Sequence, residues 1–284
     1  PPVPRCGEAR HAPARGAELR IPALQSCLRR LKLHPDVIRR IACVRGPGSF
    51  TGLRLVLTTA AGLARATGAL QAGIDYLPLL ASSAIARLGP FAAMPDSFWV
   101  CTHARRQLLH VQGFAVEKPQ ADHYTQPSAI LEGQPPSFTP ISEILVCCPE
   151  EAATAIRSLR SKATPASPVV LLGSGVQRNR PALARAFGMD EDAAQGQDDS
   201  IQFSGGRSKA CFLSAAHNHP EAGELLRFAA TARYTDQDVP PLYVRPSDAE
   251  ENIEHIAASL GIDPARASEK LARLTGRAFP DSGE

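Results

Sequence analysis

Arg45-Gly46-Pro47-Gly48-Ser49-Phe50-Thr51-Gly52-Leu53-Arg54, followed by Leu55–Ala66 (LVLTTAAGLARA), decides how the chain reads. Ahead of it the apolar run Ile41-Ala42-Cys43-Val44 predicts a buried strand. Gly46-Pro47-Gly48 then breaks the chain, since proline fixes its own φ and glycine reaches angles closed to other residues. Ser49 and Thr51 are N-cap candidates for a helix predicted from Gly52 to Arg65. Leu53, Leu57 and Ala61 recur at i, i+4, i+8, and Val56, Ala60 and Leu63 widen that face. The remaining arc, Thr58, Thr59 and Gly62, is small, with Arg54 and Arg65 marking a wet side. A helix this apolar is buried in its own core or against a partner, and small residues let a second helix approach closely. It is too short for a membrane span of about 20 apolar residues.

A strand, a glycine turn and a helix start can cradle an anion, because the first-turn N–H groups are unpaired. Gly46, Gly48, Ser49 and Thr51 are the candidate phosphate loop. The spacing is not G-x-G-x-x-G, and no lysine follows as in a P-loop. A tight turn into a packed helix is the plainer reading.

The segment Gly46–Arg54 resembles, residue for residue, the signature of the bacterial TsaB (YeaZ) family, and Leu55–Ala64 resembles the helix after it. The resemblance implies a two-lobed α/β fold of the actin/Hsp70-like (ribonuclease H-like) kind. It implies a non-catalytic dimerisation subunit of the complex that places threonylcarbamoyl on the tRNA adenosine beside the anticodon. The implied partners are a TsaD-type catalytic subunit, a TsaE-type ATPase and, through the complex, tRNA; a homodimer is the other pairing allowed. Phe50, Leu53, Leu57, Thr58, Ala61, Gly62 and Arg65 become the expected partner-binding residues. No catalytic residue, metal or cofactor is expected. The alternative is an actin-like ATPase or phosphotransferase using Gly46–Thr51 as phosphate loop.

The 284 residues allow one large or two small domains, and 44% hydrophobic content is ordinary. A net charge of +3 does not announce a nucleic-acid binder. The arginine pairs 29–30, 39–40 and 105–106 read as solvated faces. With no long apolar span or signal peptide, and seven cysteines without C-x-x-C, the chain reads as a reduced, cytoplasmic protein without membrane association.

Residues 1–16 are expected to be a disordered start. A first lobe is expected over 17–90, beginning with a helix striped by Leu24, Leu28 and Leu31, in which Pro22 is tolerable only near the first turn. Family members open with a strand ending in Asp-Thr-Ser and a hairpin. Pro1–Gly16 matches neither, so the fold is expected to be N-terminally truncated. Gly68 is a C′ residue, Leu70–Ile74 a strand and Leu77–Leu88 a helix.

A second lobe is expected over 91–207. Phe98–Cys101 and Leu108–Phe114 read as strands around a turn resembling the family's D-A-R-R, here His103-Ala104-Arg105-Arg106. Ile144–Cys148 and Val169–Leu172 are further strands. Gly173-Ser174-Gly175 resembles the family's G-D-G with Ser for Asp; Glu117–Pro140 reads as mostly loop and Asp190–Ser200 as loop. Helices over Ser208–Ala216 and Glu221–Ala232 are expected to return to the first lobe, within 208–246. Pro240–Pro246 resembles the family's C-terminal P-L-Y-L-R.

Residues 247–284 lie beyond that motif. Ser247-x-x-Glu250 is a capping box before a helix carrying Ile253, Ile256 and Leu260, which Gly261 stops; Pro264 starts a second with Ala267, Leu271 and Leu274. The pair has the outline of a helix-turn-helix DNA reader, but a plain helical hairpin is the favoured reading. His217-Asn218-His219 reads as a solvated loop, since i, i+2 spacing alone is weak for a metal. Ser49 and Ser174 lie outside G-x-S-x-G, so no nucleophile elbow is indicated.

Overall fold

The computed structural model describes residues 16–88, 95–105, 107–117, 138–160, 169–189, 210–244 and 252–275. The chain forms two compact units, 1–242 and 243–284.

In the first unit, β1 (Arg40–Gly46) and β2 (Leu70–Asp75) pair in parallel, joined by α2 (Phe50–Thr67). The register runs from Arg40↔Leu70 to Val44↔Ile74 and slips before Gly46↔Asp75. Cys43, Leu57 and Ala60 are buried between strand and helix, with Ile41, Val56 and Val239 packed around them. Among the described residues β2 is the only strand beside β1. The opening strand that the family pattern calls for, and the disordered start, concern residues outside the described part.

Ahead of β1 lies α1 (Gly16–Leu31), with Leu24, Leu28 and Leu31 half-buried. Pro22 sits inside this helix, more than a turn from its start, and not in the first turn as expected. Its ring forgoes one ladder hydrogen bond there, at a typical interior cost of about 3 kcal/mol.

The larger sheet has the order β5-β4-β3-β7-β8, with β6 also on β4. Its strands are β3 (Ser97–Arg105), β4 (Leu108–Val116), β5 (Phe138–Pro140), β6 (Leu145–Cys147), β7 (Val169–Leu172) and β8 (Ala210–Phe212). β3 and β4 form an antiparallel hairpin, while β7 lies parallel between β3 and β8. Both faces are covered, which explains why Phe98-Trp99-Val100-Cys101 and Val169–Leu172 are uninterrupted apolar runs. Trp99, Cys101, Leu171 and Phe212 pack with Ala152 and Ile156 of α4 (Pro149–Arg160) and, beyond the short α5 (Ser174–Arg178), with Leu183 and Phe187 of α6 (Arg180–Phe187). Phe98, Val100, Val170 and Leu172 pack with Leu77, Leu80, Ala84 and Ile85 of α3 (Tyr76–Leu88). A Cβ on Gly113 would lie 2.7 Å from the Trp99 ring, so that position admits only glycine beneath the indole.

Two expectations change here. Residues 210–212 are strand β8, not part of a helix over Ser208–Ala216. A short apolar run fits either structure by pattern, and the exposed ladder of β7 beside it selects the strand. The expected solvated loop at His217 is a 3-10 turn, Ala215–Asn218, with His217 buried. The Tyr76 hydroxyl donates to the Asn218 carbonyl oxygen at 3.1 Å, tying that turn to α3.

α7 (Ala222–Thr231) is docked by its polar side. Buried Glu224 accepts from the hydroxyl of Ser82 on α3 and from Arg227, while the Ser83 hydroxyl accepts from the Glu221 N–H at 3.0 Å. Leu225 and Leu226 of the same helix face outward.

The second unit is a helical hairpin of α8 (Ile253–Ser259) and α9 (Pro264–Thr275). Gly261, at φ 69°, turns the chain between them, as its position predicted. The Asp263 carboxylate accepts the Ala265 N–H at 3.1 Å at the start of α9. Ser247 and Glu250, the expected capping box, lie outside the described residues.

Candidate functional site: the glycine turn and the helix after it

β1 delivers the chain to Gly46, whose φ of 123° is closed to side-chain-bearing residues. A Cβ there would also lie 2.9 Å from the Leu242 carbonyl oxygen and 3.0 Å from Leu53 Cδ1. The Leu242 N–H donates to the Arg45 carbonyl at 2.8 Å, so the turn is clamped by the stretch containing Pro240-Pro241-Leu242. Gly46 and Pro47 are buried, joined by a cis peptide bond. Gly48 differs from Gly46: a Cβ there would make ordinary contact with Leu53 at 3.9 Å.

Ser49 caps the helix. Its hydroxyl accepts the Gly52 N–H at 3.4 Å and its carbonyl the Leu53 N–H at 2.8 Å. The helix begins at Phe50, two residues before the position expected, which places Thr51 in the first turn. At the far end Gly68, at φ 69°, closes it by donating its N–H to the Ala64 carbonyl.

The expected partner residues divide between two sides. Leu53, Leu57 and Ala61 are buried in the chain's own core. Thr58, Gly62 and Arg65 are exposed, and a Cβ on Gly62 would meet nothing within 4 Å. Phe50 is half-buried under the Arg54 guanidinium, 4.1 Å from its ring centroid. Arg65 pairs with Asp238 at 2.7 Å, and this hydrogen bond holds the Asp238 carboxyl below the usual carboxylate range. Thr59 and Thr67 hydroxyls are bonded to the carbonyls of Leu55 and Leu63, leaving Thr58 and Gly62 as the centre of a smooth, uncharged arc.

The electrostatics at the turn do not favour an anion. Asp75 stands opposite Gly46 in the strand register, so a carboxylate lies beside the expected phosphate loop Gly46, Gly48, Ser49 and Thr51. Arg45, the nearest cation in sequence, is engaged by Asp75 at 2.5 Å. The Ser49 hydroxyl occupies one of the N–H groups that a phosphate would need.

The other polar turn lies in the larger sheet. The His103 backbone N–H donates to the Ser174 hydroxyl at 3.3 Å, so serine and histidine meet through the backbone and not through the imidazole. Burial, and then the charge of Arg178, lowers the pKa of the His103 ring. Cβ atoms on Gly173 and Gly175 would lie 2.6 and 2.8 Å from the Cys101 carbonyl oxygen, which makes this turn a packing device against β3. Among the described residues no group of three or more His, Cys, Asp or Glu could hold a metal ion, and no helix is long and apolar enough to cross a membrane. Sequence reasoning missed Asp75 and Leu242 as neighbours of the turn: Asp75 falls in no motif, and Leu242, although within the Pro240–Pro246 motif, carries no sign in the sequence of what it touches.

Residues 11–131 match the family model described as TsaD, tRNA N6-adenosine threonylcarbamoyltransferase. Among solved structures, the chain is similar to YeaZ from Pseudomonas aeruginosa at 18% identity and a TM-score of 0.53, over 83% of this chain and 87% of that one. The fold is that of YeaZ. A further structure, titled as an uncharacterized protein with similarity to peptidase YEAZ from Pseudomonas aeruginosa, matches at 18% identity and a TM-score of 0.51, over 82% and 86%. No curated protein matches. The mixed α/β fold is therefore the one the resemblance implied. Within this YeaZ fold the signature Gly46–Arg54 forms the turn at the end of β1, and α2 carries the outward arc.

Proposed function

We propose that the chain is a non-catalytic, TsaB-type subunit of a tRNA-modifying assembly, pairing with a TsaD-type catalytic subunit through α2. The observation that carries this is the outward arc at Thr58 and Gly62. It is small, uncharged and open, on a helix whose opposite face is already buried, and a second helix can pack there at short interaxial distance. Arg54, stacked over the Phe50 ring, borders the arc and supplies a polar rim. Leu53, Leu57 and Ala61 support the interface from beneath by holding α2 in place. A TsaE-type ATPase and tRNA would join through the assembly. A phosphate-loop enzyme is the weaker reading because the Asp75 carboxylate stands beside the turn.

The test is co-purification with a TsaD-type subunit. Gly62→Leu should abolish or strongly weaken capture while circular dichroism stays that of the parent. Capture equal to the parent would overturn the interface. In cells, the same variant should lose threonylcarbamoyl on tRNA.

A further inference from the structure

The stretch Arg29–Arg40 holds five Lys and Arg against one acid, a net +4, which exceeds the +3 of the whole chain. Sequence reading divides these residues into two solvated arginine pairs. The structure places two tight turns between them. α1 ends at Leu31; Lys32, at φ 54°, reverses the chain; its N–H donates to the Arg29 carbonyl at 3.0 Å, and that of Leu33 to the Leu28 carbonyl at 2.9 Å. A 3-10 turn over Pro35–Val37 follows, and Arg39 Nη1 donates back to the Asp36 carbonyl at 2.6 Å. These two tight turns link the end of α1 to the start of β1, and Arg29, Arg30, Lys32, Arg39 and Arg40 are all exposed.

The acid in the stretch, Asp36, pairs with His34 at 2.9 Å. Among the described residues Arg29, Arg30 and Lys32 have no acidic partner. Arg40 lies over the Tyr234 ring, 5.2 Å from its centroid, and exposed Arg233 adjoins it in sequence. Favourable interaction with the helix dipole accounts for arginines in the last turn of α1. It does not account for Lys32, Arg39 and Arg40, which lie beyond the helix.

We propose that Arg29, Arg30, Lys32, Arg39 and Arg40 form a contact surface for the phosphate backbone of RNA. The choice of RNA among polyanions rests on the function proposed above. Four of the five cations are arginines, whose planar fork matches phosphate oxygens two at a time. An anionic membrane fits less well, because interfacial binding uses an amphipathic helix with large apolar residues on one face. Here the cations flank turns, and Leu33 and Val37 are the exposed apolar residues among them.

The test measures fluorescence polarisation of a labelled tRNA transcript against the full chain, from 50 to 200 mM salt. Each phosphate contact contributes roughly 0.7–0.9 to the slope of log affinity against log salt. The variant Arg29→Gln, Arg30→Gln, Lys32→Gln should lower the steepness by about two to three and weaken binding about tenfold or more at the lowest salt. Arg29→Lys with Arg30→Lys should keep the slope. If the triple variant fails to fold, Lys32→Gln alone should lower the steepness by about one. An unchanged slope overturns the proposal. So does loss of binding to phosphatidylserine vesicles with tRNA binding intact, which would assign the patch to a membrane. Failure to co-purify with a TsaD-type subunit, with the salt slope as expected, would instead overturn the function proposed above and leave this surface standing.

Discussion

The Arg45 guanidinium meets the Asp75 carboxylate across the ends of the two parallel strands, Nε to Oδ1 at 2.5 Å and Nη2 to Oδ2 at 3.3 Å. Its stem crosses Gly73, where a Cβ would lie 2.7 Å from Arg45 Cδ and 2.8 Å from Val239 Cγ1. One ion pair thus closes the sheet end from which the signature turn departs. Both side chains are about one-third exposed, at 32% and 38%, so Asp75→Asn should cost only about 0.2–1 kcal/mol in urea denaturation. Gly73→Ala should cost more, about 1–3 kcal/mol, because it overpacks a closed contact. If the turn held a phosphate, removing the Asp75 charge would strengthen ATP binding. We expect no calorimetric heat with ATP for either protein.

Gly46→Ala should destabilise the free chain, because positive φ and collision with the Leu242 carbonyl act together. Placing a side-chain-bearing residue in such a region costs about 1–3 kcal/mol before the collision is counted. A lowered denaturation midpoint with an unchanged m-value is the expected result. An unchanged midpoint would mean that the clamp by Leu242 is slack.

Gly62 and Leu57 offer opposite outcomes on one helix. Gly62→Ala should raise the stability of the free chain by about 0.5–1 kcal/mol, since the new methyl meets nothing and backbone entropy is saved. Leu57→Ala should lower it by about 2–5 kcal/mol, because the side chain is buried beside Cys43 and Ala60. If Gly62→Ala destabilised the free chain, the outward arc would be buried in solution.

The attachment of α7 should depend on pH. Burial works against the charged form of Glu224, but hydrogen bonds from Arg227 and Ser82 outweigh it and hold the carboxyl below its ordinary 4.5. The folded value is therefore the lower one. The stability it contributes is fully present above about pH 4.5 and is lost as pH falls through the folded value. Amide exchange in Ala222–Thr231 should accelerate over that acidic window, ahead of the core strands. Glu224→Gln should remove the pH dependence.

Much of the architecture is legible in the chain because it depends on local rules. Gly46 and Pro47 force the turn, Ser49 caps, Gly68 and Gly261 stop helices, and the spacing of Leu53, Leu57 and Ala61 names the inward face of α2. Only the tertiary structure decided the rest, because those features depend on neighbours far along the chain. Residues 210–212 became a strand when β7 offered a ladder. Asp75 came to lie beside Gly46 through the parallel register, 29 positions away in sequence. Glu224 is the inward residue of α7 because Ser82 and Arg227 satisfy it, while Leu225 and Leu226, which a simple apolar-inward rule would bury, face outward. Between two arginine pairs that look separately solvated, Lys32 takes a positive φ and Pro35–Val37 forms a 3-10 turn, neither of which the charge pattern announces. Periodicity reports which side of an element is apolar; which partner each side meets is set by the pairing of distant segments.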